Sequence, residues 1–215
     1  MERRSLMDVA GWEAFVHGVF AIAITLLVLD IRVPSAEAVA NSDEMLKRLA
    51  DGLPRYFAYV LGFMYLGAYW INIHRALRML RGVDHWFLVI GLVFLMVVSA
   101  VPFVTALLAE YIGRDHGRDQ LALVIFAGWQ LLLSVVANIS IRYGTQGGRL
   151  LRPGIDPMGL RAWMRLSLLG PVIWAAALVS AVALSGTITI VLMVVILVLF
   201  VQEAPGDLGE AGATA

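Results

Sequence analysis

The chain has 215 residues, of which 60% are hydrophobic, its formal net charge is zero, and it contains no cysteine. This apolar excess argues against an ordinary soluble domain. The absence of cysteine excludes disulfides and thiolate metal sites. The balanced charge gives no indication of a basic surface that would bind nucleic acid. Several continuous apolar runs of about 20 residues, the length of a membrane crossing, instead predict an all-α membrane protein.

Six transmembrane helices are predicted within a single domain that covers residues 1–202. In chain order their approximate bounds are 12–32, 54–80, 84–112, 119–143, 160–184 and 187–202. The short connection 184–187 predicts a tight antiparallel hairpin between the last two. The acidic tail 203–215 is rich in glycine and alanine, so we expect it to be disordered.

Shorter features interrupt these apolar runs. The polar segment 33–53 predicts a short amphipathic helix that starts near Ser42 at the outer surface. Pro102 lacks a backbone N–H and predicts a kink in the third helix, with Thr105 as a donor for the freed carbonyl. Asn138 and Ser140 are predicted to bond between helices.

Arginine residues are concentrated in alternate loops, which predicts the orientation in the membrane. The opposite loops are balanced or uncharged, so both termini are expected in the cytoplasm and the protein in a bacterial inner membrane. The arginines expected at the cytoplasmic side are Arg3, Arg4, Arg75, Arg78, Arg81, Arg142, Arg149, Arg152, Arg161 and Arg165.

The first helix carries a hydroxyl at mid-depth among aliphatic residues. Ile22, Thr25 and Leu29 are three and four residues apart and share one face, with Leu26 beside them. Thr25 has two interpretations. It either bonds the carbonyl four residues earlier, or it faces a pore in which a ring of hydroxyls replaces some of an ion's water.

The second helix ends with the polar stretch "WINIHR", which contains Trp70, Asn72 and His74. Such residues can anchor a helix end at the membrane surface. Alternatively, Asn72 and His74 turn inward and hydrogen-bond the first helix near Phe15–Gly18. Both stretches lie near the predicted cytoplasmic end, so the second interpretation is geometrically possible.

Enzyme signatures are missing: there is no nucleophile–base array, HExxH motif, P-loop or pair of intramembrane carboxylates. The sequence therefore predicts no enzymatic activity. The four histidines are scattered, which predicts neither a metal site nor a cofactor. They are His17, His74, His85 and His116.

Three stretches together resemble prokaryotic members of the transmembrane protein 175 family of potassium channels. "GVFAIAITLLVLDI" (Gly18–Ile31) resembles that family's first helix, Trp70–Arg75 its Trp-x-Asn-His-His-Arg segment, and Val101–Tyr111 its Pro-Phe-x-Thr segment. The resemblance covers nearly all of residues 10–200.

The resemblance implies a homotetramer of six-span subunits whose first helices line a central pore, without a reentrant filter loop. Ile22 and Leu29 would form the hydrophobic constriction, with Leu26 adjacent, and Thr25 the threonine layer. The permeant ion would be K⁺ among monovalent cations, and no cofactor is expected. The expected partners are other copies of the chain and the lipid bilayer.

The chain departs from the family pattern at the cytoplasmic end of the first helix. Gly11 stands where the family has arginine, Val16–His17 where it has Ser-Asp, and Ile73 where it has the first histidine of a pair. We expect His17 to pair with Asn72 or His74 instead. The residues assigned to this inter-helix network are Phe15, His17, Trp70, Asn72 and His74.

Three functions agree with these patterns. The first is a potassium-permeable cation channel. The second is a secondary transporter, which saturable, coupled uptake would reveal, although the chain has no evident repeat or midplane charge. The third is a non-conducting membrane protein of the same fold, which would assemble without passing current.

Overall fold

The computed structural model describes residues 7–35, 39–112, 116–183 and 186–202, and these are almost entirely helical. Two short 3₁₀ turns, Leu27–Asp30 and Gln146–Gly148, follow the first and the sixth helix. The α-helices are α1 (Val9–Leu26), α2 (Ser42–Asp51), α3 (Leu53–Arg78), α4 (His85–Ser99), α5 (Val101–Tyr111), α6 (His116–Thr145), α7 (Pro157–Leu166), α8 (Leu169–Ala183) and α9 (Gly186–Gln202). The predicted tail 203–215 and hairpin residues 184–185 lie outside the described residues.

Helix occupies all six predicted membrane segments. Within the described ranges, four helical stretches are long and apolar enough to cross a bilayer, and α9 adds a shorter apolar helix. These four stretches are Val9–Asp30, His85–Tyr111, Gly117–Gly148 and Pro157–Ala183. The chain is therefore a multi-pass α-helical membrane protein, while the count of six crossings stays a prediction.

The third predicted helix is divided at Ala100, where α4 ends and α5 begins with Pro102 in its first turn. The indole Nε1 of Trp129 donates to the carbonyl of Val97 beside this break, over 3.0 Å. The hydroxyl of Thr105 is buried and has no hydrogen-bond partner among the described residues. Trp129 therefore supplies a donor to the carbonyl of Val97 next to this break, and the expected bond from Thr105 to the freed carbonyl is not formed.

The fifth predicted helix is likewise divided, into the amphipathic α7 and the apolar α8. Pro171 in the first turn of α8 has no N–H for the carbonyl of Ser167, four residues earlier. The side-chain amide of Asn138 donates to that carbonyl over 2.9 Å, and Ser167 Oγ donates to Asn138 Oδ1 over 2.9 Å. Asn138 thus bonds between helices as expected. The hydroxyl of Ser140 is buried without a partner in the described part of the chain.

A short helix follows the first membrane segment, as expected from the sequence. Asn41 caps α2 by accepting from the N–H of Glu44 over 2.9 Å, and Glu44 accepts from the N–H of Ala40 over 3.1 Å. This reciprocal pair satisfies two otherwise free donors. The cap is Asn41, one residue before Ser42.

The two largest buried clusters hold most of the bundle together. One joins α1, α3, α4 and α6 around Phe20 and Phe94, whose ring centroids lie 6.0 Å apart. The other joins α3, α5, α6, α8 and α9, where the rings of Tyr65 and Trp174 meet edge to face at 5.0 Å. In lipid such contacts stabilise the bundle through close packing of the side chains.

Three connecting segments meet at one end of the bundle. Met7 and Val83 exchange backbone hydrogen bonds of 2.8 and 3.1 Å, which joins the chain before α1 to the α3–α4 loop. Arg81 and Arg152 extend this arrangement through backbone bonds to Leu150 and Met79. The arginine-rich loops predicted to face the cytoplasm therefore lie side by side.

Candidate functional site

The first helix divides into a buried and an exposed face. Val16, Phe20, Ala23 and Leu27 are at most 3% exposed and pack into the subunit. On the opposite face Ile22 is 62% exposed, Leu26 is 42% exposed, and Thr25 is exposed as well. Leu29, in the 3₁₀ turn that continues α1, is 72% exposed. The residues assigned to a pore wall thus lie together, pointing away from their own subunit.

The exposed face of α1 also contains small residues. Gly18 and Ala21 are exposed one turn before Ile22 and Thr25. A methyl group built at Gly18 would meet no atom within 4 Å. The face therefore has room for another helix to approach closely, as small residues allow in membranes.

The hydroxyl of Thr25 bonds its own helix. Its Oγ1 lies 2.9 Å from the carbonyl oxygens of both Ala21 and Ile22 and donates to them. A hydroxyl has one proton and two lone pairs. These bonds use the proton of Thr25, and its oxygen can still accept a hydrogen bond or contact a cation on the exposed side of the helix. Back-bonding and ion contact, posed above as alternatives, are therefore compatible at this residue.

Three residues of the expected network meet where the N-terminal part of α1 crosses the C-terminal part of α3. The rings of His17 and His74 have centroids 5.4 Å apart. Trp70 stacks on His74 at 5.7 Å with an interplanar angle of 14°, and its ring lies 5.7 Å from that of His17. The partner of His17 across the two helices is His74.

Glu13 completes this cluster, although it was not among the residues predicted from the sequence. Its Oε1 lies 3.0 Å from His74 Nδ1 and 3.9 Å from His17 Nε2. Glu13 precedes His17 by four residues, so the two share one face of α1. That spacing was the available signal, but nothing in the sequence indicated that His74 would lie opposite.

Asn72 and Phe15 do not lie in this cluster. The amide of Asn72 donates to the carbonyl of Ala68 in its own helix over 3.0 Å, and the side chain lines a cleft beside α6. Two residues apart on a helix of 3.6 residues per turn, Asn72 and His74 point to nearly opposite faces. Phe15 is 51% exposed and its ring packs against Trp12 at 5.8 Å.

The residues that depart from the family pattern fit their local environment in the structure. Val16 and Ile73 are apolar and buried in the core between α1, α3 and α4. A side chain at Gly11 would begin in open space, since no atom lies within 4 Å of its Cβ position. The substitutions at 16 and 73 thus extend the apolar core next to the His17–His74 pair.

An open cleft of about 360 Å³ lies at the other end of α1. Leu26, Leu29 and Asp30 line it from one side, and α3 and α5 from the other. Beside it, Arg55 of α3 pairs with Glu110 of α5 over 2.6 Å. The exposed face of α1 therefore ends at an open, mostly apolar cleft that also contains the side chains of Asp30 and Arg55.

Comparison with known proteins identifies the family. A family model described as the endosomal/lysosomal potassium channel TMEM175 matches residues 12–102. A potassium channel of Streptomyces collinus is 37% identical over 150 residues, which cover 70% of this chain and 71% of that one. The chain belongs to the TMEM175 family. A potassium channel of Chamaesiphon minutus is 36% identical over 165 residues, covering 77% of this chain and 80% of that one.

A solved member of the TMEM175 family has the same fold. The crystal structure of a Chamaesiphon minutus homologue of TMEM175, itself described there as a lysosomal potassium-selective channel, superposes with a TM-score of 0.79 at 30% identity. The match covers 90% of this chain and 96% of that one. The family expected from the three sequence stretches is confirmed, and these relatives are named as channels, which agrees with the predicted lack of enzymatic activity.

Proposed function

We propose that this TMEM175 family member forms a potassium-permeable cation channel in which four copies of α1 line a central pore. The observation that carries the proposal is the exposed stripe of Ile22, Thr25 and Leu29 on a helix whose other face is packed into the subunit. Its relatives in Streptomyces collinus and Chamaesiphon minutus are named as potassium channels.

The permeation path would combine one polar layer with two apolar ones. Thr25 uses its proton on the carbonyls of Ala21 and Ile22, so its oxygen is free to replace water around a cation, as ring-forming oxygens do in selective pores. Ile22 and Leu29, one turn on either side, would form a constriction that conducts only when wetted. Without a cage of carbonyl groups, selectivity should be moderate.

The arginine distribution supports six crossings with both termini in the cytoplasm of a bacterial cell. The connections after α3 and α6 contact each other and the start of α1 at one end of the bundle. Arg81 and Arg152 lie there, and cytoplasmic loops carry the excess of positive charge in membrane proteins. The bacterial inner membrane is the corresponding location.

The buried polar residues do not favour a coupled transporter. Among the buried residues in the described ranges, Asp84 is the one with a formal charge, and it precedes α4 at the end of the bundle. Transporters instead place ionisable groups around a midplane site. Passive electrodiffusion is the function that this arrangement supports best.

The decisive experiment is a reversal potential in a planar bilayer, with the purified protein, potassium on one side and sodium on the other. We expect the current to reverse toward the potassium equilibrium potential. Thr25→Val, which keeps the shape and removes the hydroxyl, should move the reversal toward zero. Thr187→Val is the matched control, because Thr187 is exposed on α9, away from the proposed pore.

The other outcomes separate the remaining candidates. Silence from intact tetramers, established by native mass spectrometry, would identify a non-conducting family member. Saturable uptake coupled to a second ion would identify a transporter. An unchanged reversal potential in Thr25→Val would remove the threonine layer from the proposal while leaving the channel itself.

A further inference from the structure

Three metal-ligating side chains converge between α1 and α3. A carboxylate oxygen of Glu13, one imidazole nitrogen of His17 and one of His74 all lie within 4.8 Å of one another. The two individual contacts are 3.0 Å from Glu13 Oε1 to His74 Nδ1 and 3.9 Å from the same oxygen to His17 Nε2. Two histidines and one carboxylate are also a donor set that zinc uses in proteins.

The spacing of these atoms is close to what a tetrahedral ion needs. Zinc binds imidazole nitrogen and carboxylate oxygen at about 2.0–2.2 Å, which places neighbouring ligand atoms roughly 3.3 Å apart. The observed separations lie on both sides of that value, so small rotations of the side chains would bring all three donors onto one ion. Glu13 and His17, four residues apart on α1, already face the same way.

The two nitrogen atoms lack other partners. His17 Nε2 and His74 Nδ1 are shielded from solvent and form no hydrogen bond within the described chain. The 3.0 Å approach of Glu13 to His74 is short but not aligned as a hydrogen bond. Shielded polar atoms in folded proteins nearly always have a partner, and a bound ion would satisfy both.

The solvent access and the fixed orientation of the two imidazole rings also favour ion binding. The side chains of His17 and His74 are 35% and 34% exposed, so an ion can reach their shielded nitrogens from solvent with little rearrangement. Trp70 contacts both imidazole rings and stacks on that of His74. An aromatic wall of this kind restricts the orientations of both ligands before the ion binds.

We propose that Glu13, His17 and His74 form a binding site for a divalent transition metal ion, zinc in the first place, with a water molecule as the fourth ligand. Two imidazoles favour zinc over magnesium or calcium, which prefer oxygen ligands throughout. The site departs from the expectation of no metal, because His17 and His74 meet only once α1 has packed against α3. A bound ion would link α1 to α3. The metal site itself does not depend on the proposed channel function, and only an effect of the bound ion on conduction rests on that function.

The test is metal titration of the purified full-length protein, with any affinity tag of histidines removed. Cobalt(II) serves as the probe, because tetrahedral coordination gives it intense visible absorption, and zinc is then added as a competitor. We expect one cobalt ion per chain, displaced by zinc and removed by a chelator. His17→Ala and His74→Ala should each weaken binding by at least about tenfold, since even an outer-shell change costs that much.

Two further variants separate ligand loss from misfolding. Glu13→Gln keeps the size of the side chain and removes its charge, and it should weaken binding as well. His85→Ala is the matched control, because His85 lies at the start of α4 against Trp86 and outside the cluster. Each variant is compared by its elution profile in size-exclusion chromatography.

The proposal is overturned if wild-type protein shows no saturable cobalt or zinc binding. It is equally overturned if properly eluting Glu13→Gln and His17→Ala proteins bind as the wild type does. Binding by a protein that passes no current would leave the metal site standing and remove the channel. Current without binding would do the reverse, so the two proposals fail separately.

Discussion

Trp12 of α1 lies so close to Gly91 of α4 that a methyl group at position 91 would overlap Trp12 Cζ2 and come within 3.0 Å of Trp12 Cη2. Both atoms belong to a rigid ring, so the ring or the helix would have to move to make room. Gly91 therefore fixes how near α1 sits to α4. This contact controls the position of the helix proposed to line the pore.

We accordingly expect Gly91→Ala to destabilise the protein by about 1–3 kcal/mol, the usual cost of overpacking, and to displace α1. The measurement is the thermal midpoint in detergent, followed by the current in bilayers. Gly67→Ala is the matched control, because a methyl group at position 67 in α3 would have no atom within 4 Å. Equal midpoints for Gly91→Ala and wild type would contradict the tight contact.

Asp84 anchors the end of the bundle where the α3–α4 and α6–α7 connections meet, with a carboxylate that is only 3% exposed. It caps α4 through the N–H of Phe87 at 2.9 Å, and its other oxygen meets Arg149 Nη2 at 2.6 Å and the Tyr143 hydroxyl at 3.0 Å. Asp84→Asn keeps a good capping residue and removes the charge. We expect a loss of about 2 kcal/mol, as for a buried hydrogen bond to a charged group. Chemical denaturation near neutral pH is the measurement.

The same carboxylate should make stability fall at acid pH. Burial alone would raise the pKa of Asp84, but the hydrogen bonds from Phe87 and Tyr143 and the charge of Arg149 lower it below its usual value. The stabilisation is therefore present above the unfolded pKa of about 3.9 and is lost as the pH falls through the lower folded value. The stability difference between wild type and Asp84→Asn should begin to shrink as the pH approaches the unfolded pKa of about 3.9 and continue to shrink below it. A constant difference would contradict this assignment.

The sequence was sufficient to predict which residues share one face of a single helix. The three- and four-residue intervals of Ile22, Thr25 and Leu29 predict a shared face, and that face is exposed in the structure. Pro102 predicts the break between α4 and α5 in the same way. Pro171 carried an equal signal for the break before α8, which was not predicted.

Relationships between helices were harder to predict, because spacing says nothing about which faces meet. Asn72 was assigned to the same network as His74, yet two residues apart they point in different directions. A lone acidic residue in the first turns of a helix, such as Glu13, is ordinary and does not by itself indicate a site. Its significance depends on His74, which only the packing of α3 on α1 brings near.

The ion pair between Arg55 and Glu110 should stabilise the end of the bundle opposite the Met7–Val83 contact. Arg55 Nη2 lies 2.6 Å from Glu110 Oε2, and their side chains are partly shielded from solvent. Screening limits such pairs, so we expect Glu110→Gln to cost no more than about 1 kcal/mol. The exchanged double variant Arg55→Glu/Glu110→Arg should lose less stability than the summed losses of Arg55→Glu and Glu110→Arg measured singly. Additive losses in the double-mutant cycle would show that the contact contributes nothing by itself.

A polar residue in place of Ile22, at the proposed constriction, should increase the current through the channel. Ile22→Asn places a polar group on the exposed face of α1, where the proposed pore must wet before ions pass. A barrier lower by about 1.4 kcal/mol corresponds to a tenfold faster passage. We expect single-channel recordings to show a higher open probability or conductance.

The matched control for Ile22→Asn is Met96→Asn on α4. Met96 is 65% exposed and Ile22 is 62% exposed, so the two variants insert the same amide at equally open positions of different helices. If exposure to lipid alone explained the effect, both variants would change the current alike. A gain confined to Ile22→Asn would identify α1 as the pore wall, because only there does a polar side chain contact the permeating water. Equal currents in wild type and both variants would place the constriction elsewhere.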